Sequence, residues 1–249
     1  MNEPLQCRVI NLDRSVERLA AVTENLSTIP IVWSRFPAFE PPENDFLSDV
    51  RYRKDRASAM LGRQLSRGEM GCFQSHLGVL EQFLSSSATH CLALEDDIQM
   101  SCEDFQKLCD IFDWLKTAAA PRWSCLNLAG VYHKRFRAIE SFKTVSLRRA
   151  YQFPVLTSAL LWSRAGAGDF IHMVSRDGIW GPVDYQLRSY LAKTGLGLSV
   201  SQPLFKLSTD TSTISGRYIS ESAKLLSKAY LKRKSTLYFW STLNQIKGT

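Results

Sequence analysis

The sequence predicts an α/β protein: a mixed, mostly parallel central sheet with helices on its flanks. Three observations carry that prediction. Short apolar runs of strand length alternate with longer segments of helical periodicity. Cys91-Leu92-Ala93-Leu94 is an unbroken apolar run, as expected of a strand buried on both faces. That run ends in Glu95-Asp96-Asp97, which puts carboxylates at a strand's carboxyl end, where open α/β sheets bind ligands.

The elements follow in order. Cys7 to Leu12 reads as a first strand, Asn11 to Ser15 as a turn, and Val16, Leu19, Ala20, Val22 and Leu26 as the apolar face of a helix. A second strand spans Ile31 to Phe36 and stops at Pro37. Residues 37–64 form a long polar connection with Pro41-Pro42 and a basic cluster at Arg51, Arg53, Lys54 and Arg56. A loop of that length is either a functional flap, here for an acceptor, or a solvated connection. Ser66 and Glu69 have capping-box spacing, and Met70, Phe73, Leu77, Leu80 and Leu84 share one face of the helix they open. Gly71, Ser75 and Gly78 share another face. Glycine inside a helix costs roughly 1 kcal/mol relative to alanine, so a strand or a ligand packs closely there.

Beyond the acidic run, Ser101-Cys102-Glu103-Asp104 caps a helix carrying Phe105, Leu108, Phe112 and Leu115. Ser124 to Leu128 and Val155 to Trp162 read as strands, and the basic stretch from His133 to Arg149 as a phosphate contact or a solvated hairpin. Helices open at Ser163-Arg164 and at Gly181-Pro182-Val183-Asp184, and Leu196 to Val200 is a short strand. Ser208 to Ser215 is a hydroxyl-rich loop. The division expected is a catalytic domain over residues 1–216 and a basic amphipathic tail over residues 217–249.

Composition narrows the class. The chain has 249 residues, 45% hydrophobic and 22% charged, which suits a globular domain with a sizeable core. The net charge is +7, and the tail from Arg217 onward holds seven Lys or Arg against the one acid Glu221. Basic residues interleaved with Tyr230, Tyr238, Phe239 and Trp240 suit an interfacial helix on anionic lipid, or a packed helix with a solvated basic face. No nucleic-acid module accompanies them, so nucleic acid is not an expected partner. The six cysteines form no C-x-x-C pair and lie partly in apolar runs, which fits free thiols in a reducing compartment. Met1 to Gln6 lacks the pattern of a signal peptide, and no apolar run is long enough to span a bilayer. The expected location is cytoplasmic, with a peripheral attachment to the inner face of the cytoplasmic membrane through the tail.

The candidate chemistry centres on Glu95, Asp96 and Asp97. Clustered hard oxygen ligands suit Mg²⁺ or Mn²⁺, with a diphosphate completing the coordination; the alternative is a solvated acidic turn. Arg14 and Arg18, four residues apart, share a face near the first strand's carboxyl end, either to hold a nucleotide or simply solvated. His76 flanks an apolar stripe and by itself reads as a structural histidine before a catalytic one. Asp184 is a helix N-cap or a carboxylate aimed into a cleft.

Four segments in this order, Val9-Ile10-Asn11-Leu12-Asp13-Arg14-Ser15-x-Glu17-Arg18, Leu65-Ser66-x-Gly68-Glu69-x-Gly71-Cys72-x-x-Ser75-His76, Leu94-Glu95-Asp96-Asp97 and Pro182-Val183-Asp184, resemble glycosyltransferase family 25. That family includes bacterial lipopolysaccharide and lipooligosaccharide galactosyltransferases and collagen galactosyltransferases. The resemblance runs from about Cys7 to Ser215. It implies a Rossmann-like A-type glycosyltransferase fold (GT-A), a UDP-sugar donor, a glycan or glycolipid acceptor, and transfer with inversion. It implies Glu95 and Asp97 as holders of Mn²⁺ or Mg²⁺, and Asn11, Leu12, Arg14, Arg18, Ser75, His76 and Asp96 as donor contacts. Asp184 falls to the general base, with Glu69 in support of the site. An aromatic usual in the strand after residue 157 is replaced here by Leu160. The other readings are a binding protein of the same fold without catalysis, and a nucleotidyltransferase that would release pyrophosphate.

Overall fold

The computed structural model describes residues 5–130, 134–208 and 228–248. Its centre is an eight-stranded sheet in the order β2-β1-β3-β8-β5-β9-β7-β6. The strands are β1 (Leu5–Asn11), β2 (Ser34–Pro37), β3 (His90–Glu95), β5 (Cys125–Asn127), β6 (Phe136–Phe142), β7 (Val145–Ala150), β8 (Ala159–Ser163) and β9 (Gly197–Val200). Two further short strands, β4 (Ile98–Gln99) and β10 (Lys206–Leu207), pair antiparallel beside it. β7 and β8 run against the other six strands, so the sheet is mostly of one direction although several neighbouring pairs are antiparallel.

The described residues form seven helices: α1 (Val16–Ser27), α2 (Lys54–Leu61), α3 (Arg67–Leu84), α4 (Cys102–Leu115), α5 (Arg164–Asp177), α6 (Val183–Thr194) and α7 (Lys228–Lys247). They make two apolar layers, one on each side of the sheet. Leu92 and Leu94 of β3 enter the layer built with α1 and α4, while Cys91 and Ala93 enter the layer built with α3, α5 and α6. Alternate side chains of one unbroken apolar run thus serve opposite faces, the reason β3 carries no polar residue between His90 and Glu95.

Most predicted elements are present, with shifted ends. The second strand begins at Ser34 rather than Ile31, because Ile31 and Trp33 pack against the core without joining the ladder. The 37–64 connection is not all loop: it contains α2, held to the body by Ala57 at 0% exposure. The basic stretch is a hairpin, β6 and β7, turning at Lys143 with φ 53°. The strand foreseen from Val155 starts only at Ala159, which leaves Val155 to Ser158 as a segment at the sheet's edge.

The small-residue face of α3 explains how the chain closes over the sheet. A β-carbon on Gly78 would lie 2.7 Å from the Phe36 ring, and one on Gly71 would lie 2.6 Å from the Phe39 carbonyl oxygen. The close neighbour implied by those glycines is therefore β2 and the strap that follows it. Ser75 fastens that strap, accepting from the Phe39 N–H at 2.8 Å and donating to the Gly71 carbonyl at 2.7 Å.

The C-terminal helix α7 lies against α2 and α6. Asn244 donates to the Ala192 carbonyl at 2.7 Å, Arg233 donates to the Met60 carbonyl at 3.0 Å, and the Arg233 guanidinium stacks on Tyr185. Residues 217–227 of the predicted tail and 209–215 of the hydroxyl-rich loop lie outside the described residues. All six cysteines are free, and no described helix is long and apolar enough to cross a membrane.

Candidate active site

Sheet topology gathers the site. β1 and β3 are parallel neighbours, with Ile10 opposite Glu95, so the turn after each strand opens at the same edge. β8 is antiparallel to β3, and its start therefore reaches that edge too: the Glu95 N–H donates to the Ser158 carbonyl at 2.9 Å. Helix α3 covers this edge from one side, and the first turn of α6 brings Asp184 to it. The result is a cavity of about 290 Å³ lined by Leu12, Arg14, Arg18, Ser75, His76, Glu95, Asp96, Asp97 and Asp184 among others.

Asn11 lies outside the cavity wall. It is buried at 2% exposure and works from behind. Its side-chain amide donates to Asp96 at 2.7 Å and to the Ser15 carbonyl at 3.0 Å, and it accepts from Arg35 at 2.9 Å. It fixes Asp96 against the β1–α1 turn. Glu69 does not reach the cavity either. It accepts from both Arg63 nitrogens, at 2.7 and 2.6 Å, and from the Ser66 N–H at 2.8 Å, while Ser66 caps the Glu69 N–H. The capping box is complete, and the carboxylate is consumed by it. A supporting place for Glu69 in the site is thereby corrected to a structural one.

The acid turn is electrostatically uneven. Arg18 bridges Asp96 and Asp97, at 3.0 Å to each. Glu95 faces the other way: Thr157 donates to it at 2.8 Å, and His76 Nε2 lies 3.1 Å from its Oε1. Burial, then the charge on Glu95, pushes the Asp97 carboxyl up to about 6, and Arg18 only partly offsets them. Burial also raises Asp96, against the hydrogen bond from Asn11. Asp97 Oδ1 is buried without a hydrogen-bond partner. A buried, unpartnered carboxylate oxygen among like charges is a place where a cation is favourable.

The mouth of the cavity is basic. Arg14 and Arg67 both pair with Glu40 of the strap, and Arg67 donates to the Pro41 carbonyl at 2.6 Å. Arg67, Glu40, Cys72 and Thr157 line the cavity but are not among the site residues expected from the sequence. Arg67 and Cys72 lie inside the recognisable α3 segment and could have been found there. Glu40 and Thr157 come from connections whose path is visible only in the fold. Asp184 is not the N-cap, which is Pro182; its carboxylate accepts from the Tyr185 N–H at 2.8 Å and lines the cavity. Leu160, the departure from the family pattern, is fully buried in the core and does not line the cavity.

Fold and site together define an α/β protein with a ligand cleft at the carboxyl edge of its sheet, where acids and arginines meet. The description "Glycosyltransferase family 25 (LPS biosynthesis protein)" matches residues 5–157. The chain belongs to that family. It is 30% identical over 98 residues to a glycosyltransferase 25 family member of Anopheles gambiae, covering 36% of this chain and 16% of that protein. A member from Aedes aegypti is 28% identical over 109 residues, 42% of this chain and 18% of that protein. The matches thus span less than a fifth of these curated relatives' length. Among solved structures, S. aureus TarS in complex with UDP-GlcNAc aligns over 97% of this chain and 72% of its own, with a TM-score of 0.47 and 12% identity. The glycosyltransferase GlyE of Streptococcus pneumoniae TIGR4 covers 98% of this chain and 64% of its own, with a TM-score of 0.41 and 9% identity. Neither likeness is close enough to bear on the chemistry.

Proposed function

We propose that the chain is an inverting glycosyltransferase that moves a hexose, galactose from UDP-galactose, onto a lipopolysaccharide- or lipooligosaccharide-type glycan. The observation that carries this reading is the meeting of the Glu95–Asp97 acids, three arginines and a separate carboxylate, Asp184, in one cavity at the sheet's carboxyl edge. Arg14 and Arg67 are placed for an anionic diphosphate, with Glu40 as their present partner. Asp184, on α6, is the base that takes the proton from the acceptor hydroxyl. A base in that position contributes roughly 10²–10⁴-fold.

The acid turn fits a divalent cation. Asp97, whose Oδ1 is unpartnered, would hold Mn²⁺ or Mg²⁺ together with Glu95 or Asp96. When bound, such an ion supplies Lewis-acid stabilisation to a departing diphosphate. The chain's own contribution is to hold the carboxylates in place, through Asn11 on Asp96 and Thr157 on Glu95.

Helix α7 gives this reading a surface. Its inner face packs on α2 and α6, while Leu231, Phe239 and Ile246 are exposed on a helix with no acidic residue. That combination suits the cytoplasmic face of an anionic membrane that carries a lipid-linked acceptor.

The deciding experiment incubates the protein with UDP-galactose and Mn²⁺, with and without a lipopolysaccharide core acceptor. Acceptor-stimulated release of UDP, with a β-linked galactose in the product, is expected. Release of pyrophosphate, or no turnover with any hexose donor, overturns the reading.

A further inference from the structure

Cys72, His76 and Glu95 form a second ligand set on the wall of the same cavity. Cys72 and His76 are four residues apart on α3 and so share a helix face. Glu95 ends β3 opposite them. The Cys72 sulfur, a His76 ring nitrogen and a Glu95 oxygen all lie within 4.8 Å of one another. His76 Nε2 and Glu95 Oε1 are 3.1 Å apart, close to the ~3.3 Å edge of a tetrahedron with ~2.0 Å metal bonds.

We infer that these three residues bind a borderline-soft divalent cation of the zinc class, with one coordination position open to the cavity. The chemistry of the donors selects the ion. A thiolate, an imidazole and a carboxylate favour Zn²⁺ or Co²⁺ over the hard Mg²⁺ or Mn²⁺, which suit the all-oxygen acid turn. Three protein ligands facing a cavity leave the fourth place to water or to a ligand oxygen. The surroundings hold the set in position. His76 is almost fully buried on α3, and the Thr157 hydroxyl donates to Glu95 at 2.8 Å, the kind of outer contact that orients a ligating carboxylate. Binding closes the sulfur onto the ion, and the thiol proton is released to solvent as the Cys72–metal bond forms. The set shares Glu95 with the acid turn but calls on neither Asp184 nor the arginines, so cation binding here is read separately from sugar transfer.

The test titrates the full chain with Co²⁺ alone and follows its absorption, then measures competition by Zn²⁺. A thiolate-to-cobalt charge-transfer band and the visible bands of four-coordinate cobalt are expected, both abolished by equimolar Zn²⁺. Cys72→Ser should remove the charge-transfer band and weaken Co²⁺ binding at least tenfold; His76→Gln should weaken it by a similar factor. Thr157→Val should keep the band and lower affinity by roughly tenfold, the usual cost of losing an outer contact. Cys102→Ser, on the exposed side of α4, should change nothing. Unaltered circular dichroism of each variant shows that folding is intact. No charge-transfer band in the wild-type chain, or a band that survives in Cys72→Ser, overturns the inference.

Discussion

Two carboxylates withdrawn from solvent in this molecule have opposite surroundings. Glu69, at the start of α3, is 6% exposed and receives hydrogen bonds from Arg63 and from the Ser66 N–H. Burial raises its carboxyl, but those partners outweigh burial and leave it below the ordinary value. Asp97, at the end of the acid turn, is half-buried, yet its buried Oδ1 has no partner and its neighbours include Glu95 and Asp96. The same residue chemistry is satisfied in one place and left short of positive charge in the other. A carboxylate the fold has already neutralised serves the fold, and one it leaves under-compensated is available to a ligand.

The largest effect expected separates activity from stability at the cavity. Asp184→Asn should lower turnover by roughly 10²–10⁴-fold while UDP binding, read by calorimetry, stays within about twofold. Equal turnover in the variant would remove Asp184 from the role of base. Asp97→Asn is expected next. It should weaken cation-dependent UDP binding and cut turnover on the order of 10²–10³-fold, yet leave urea stability at pH 7 unchanged or higher, because it relieves repulsion. A clear loss of stability would erase the contrast with Glu69.

Glu69→Gln is the reciprocal test. It leaves the Arg63 guanidinium without its carboxylate and opens the capping box, so about 2 kcal/mol of stability should be lost in urea unfolding. UDP affinity should hardly move. The smallest effect is in pH, where the two sites pull oppositely. Between the ordinary aspartate value of 3.8 and about 6, the folded chain keeps the Asp97 proton that the unfolded chain has released. Stability therefore falls as pH rises through that window. For Glu69 the folded value lies below the ordinary 4.5, so its contribution is present above 4.5 and is lost as pH falls beneath it. Urea midpoints from about pH 3 to 7 should flatten between about pH 4 and 6 in Asp97→Asn and below pH 4.5 in Glu69→Gln.

The local features were legible in the sequence because their causes are local. The capping box of Ser66 and Glu69, the apolar run of β3, the Ser101 cap of α4 and the need for close contact at Gly71 and Gly78 are all set by residues within a turn or two. Sequence order also placed the acid turn, the Arg14–Arg18 pair and Asp184 in the segments that meet at the cavity.

Only the tertiary structure decided how each charge is spent. Whether Glu69 turns to Arg63 or to the site, whether Arg18 meets a ligand or bridges Asp96 and Asp97, and whether Glu95 looks to Asp97 or to His76 depend on where distant strands end. β1, β3 and β8 bring their edges together through sheet pairing over tens of residues. Ion pairs fall off steeply with distance and depend on burial, so partners cannot be assigned until that pairing has fixed which groups lie within a few ångströms.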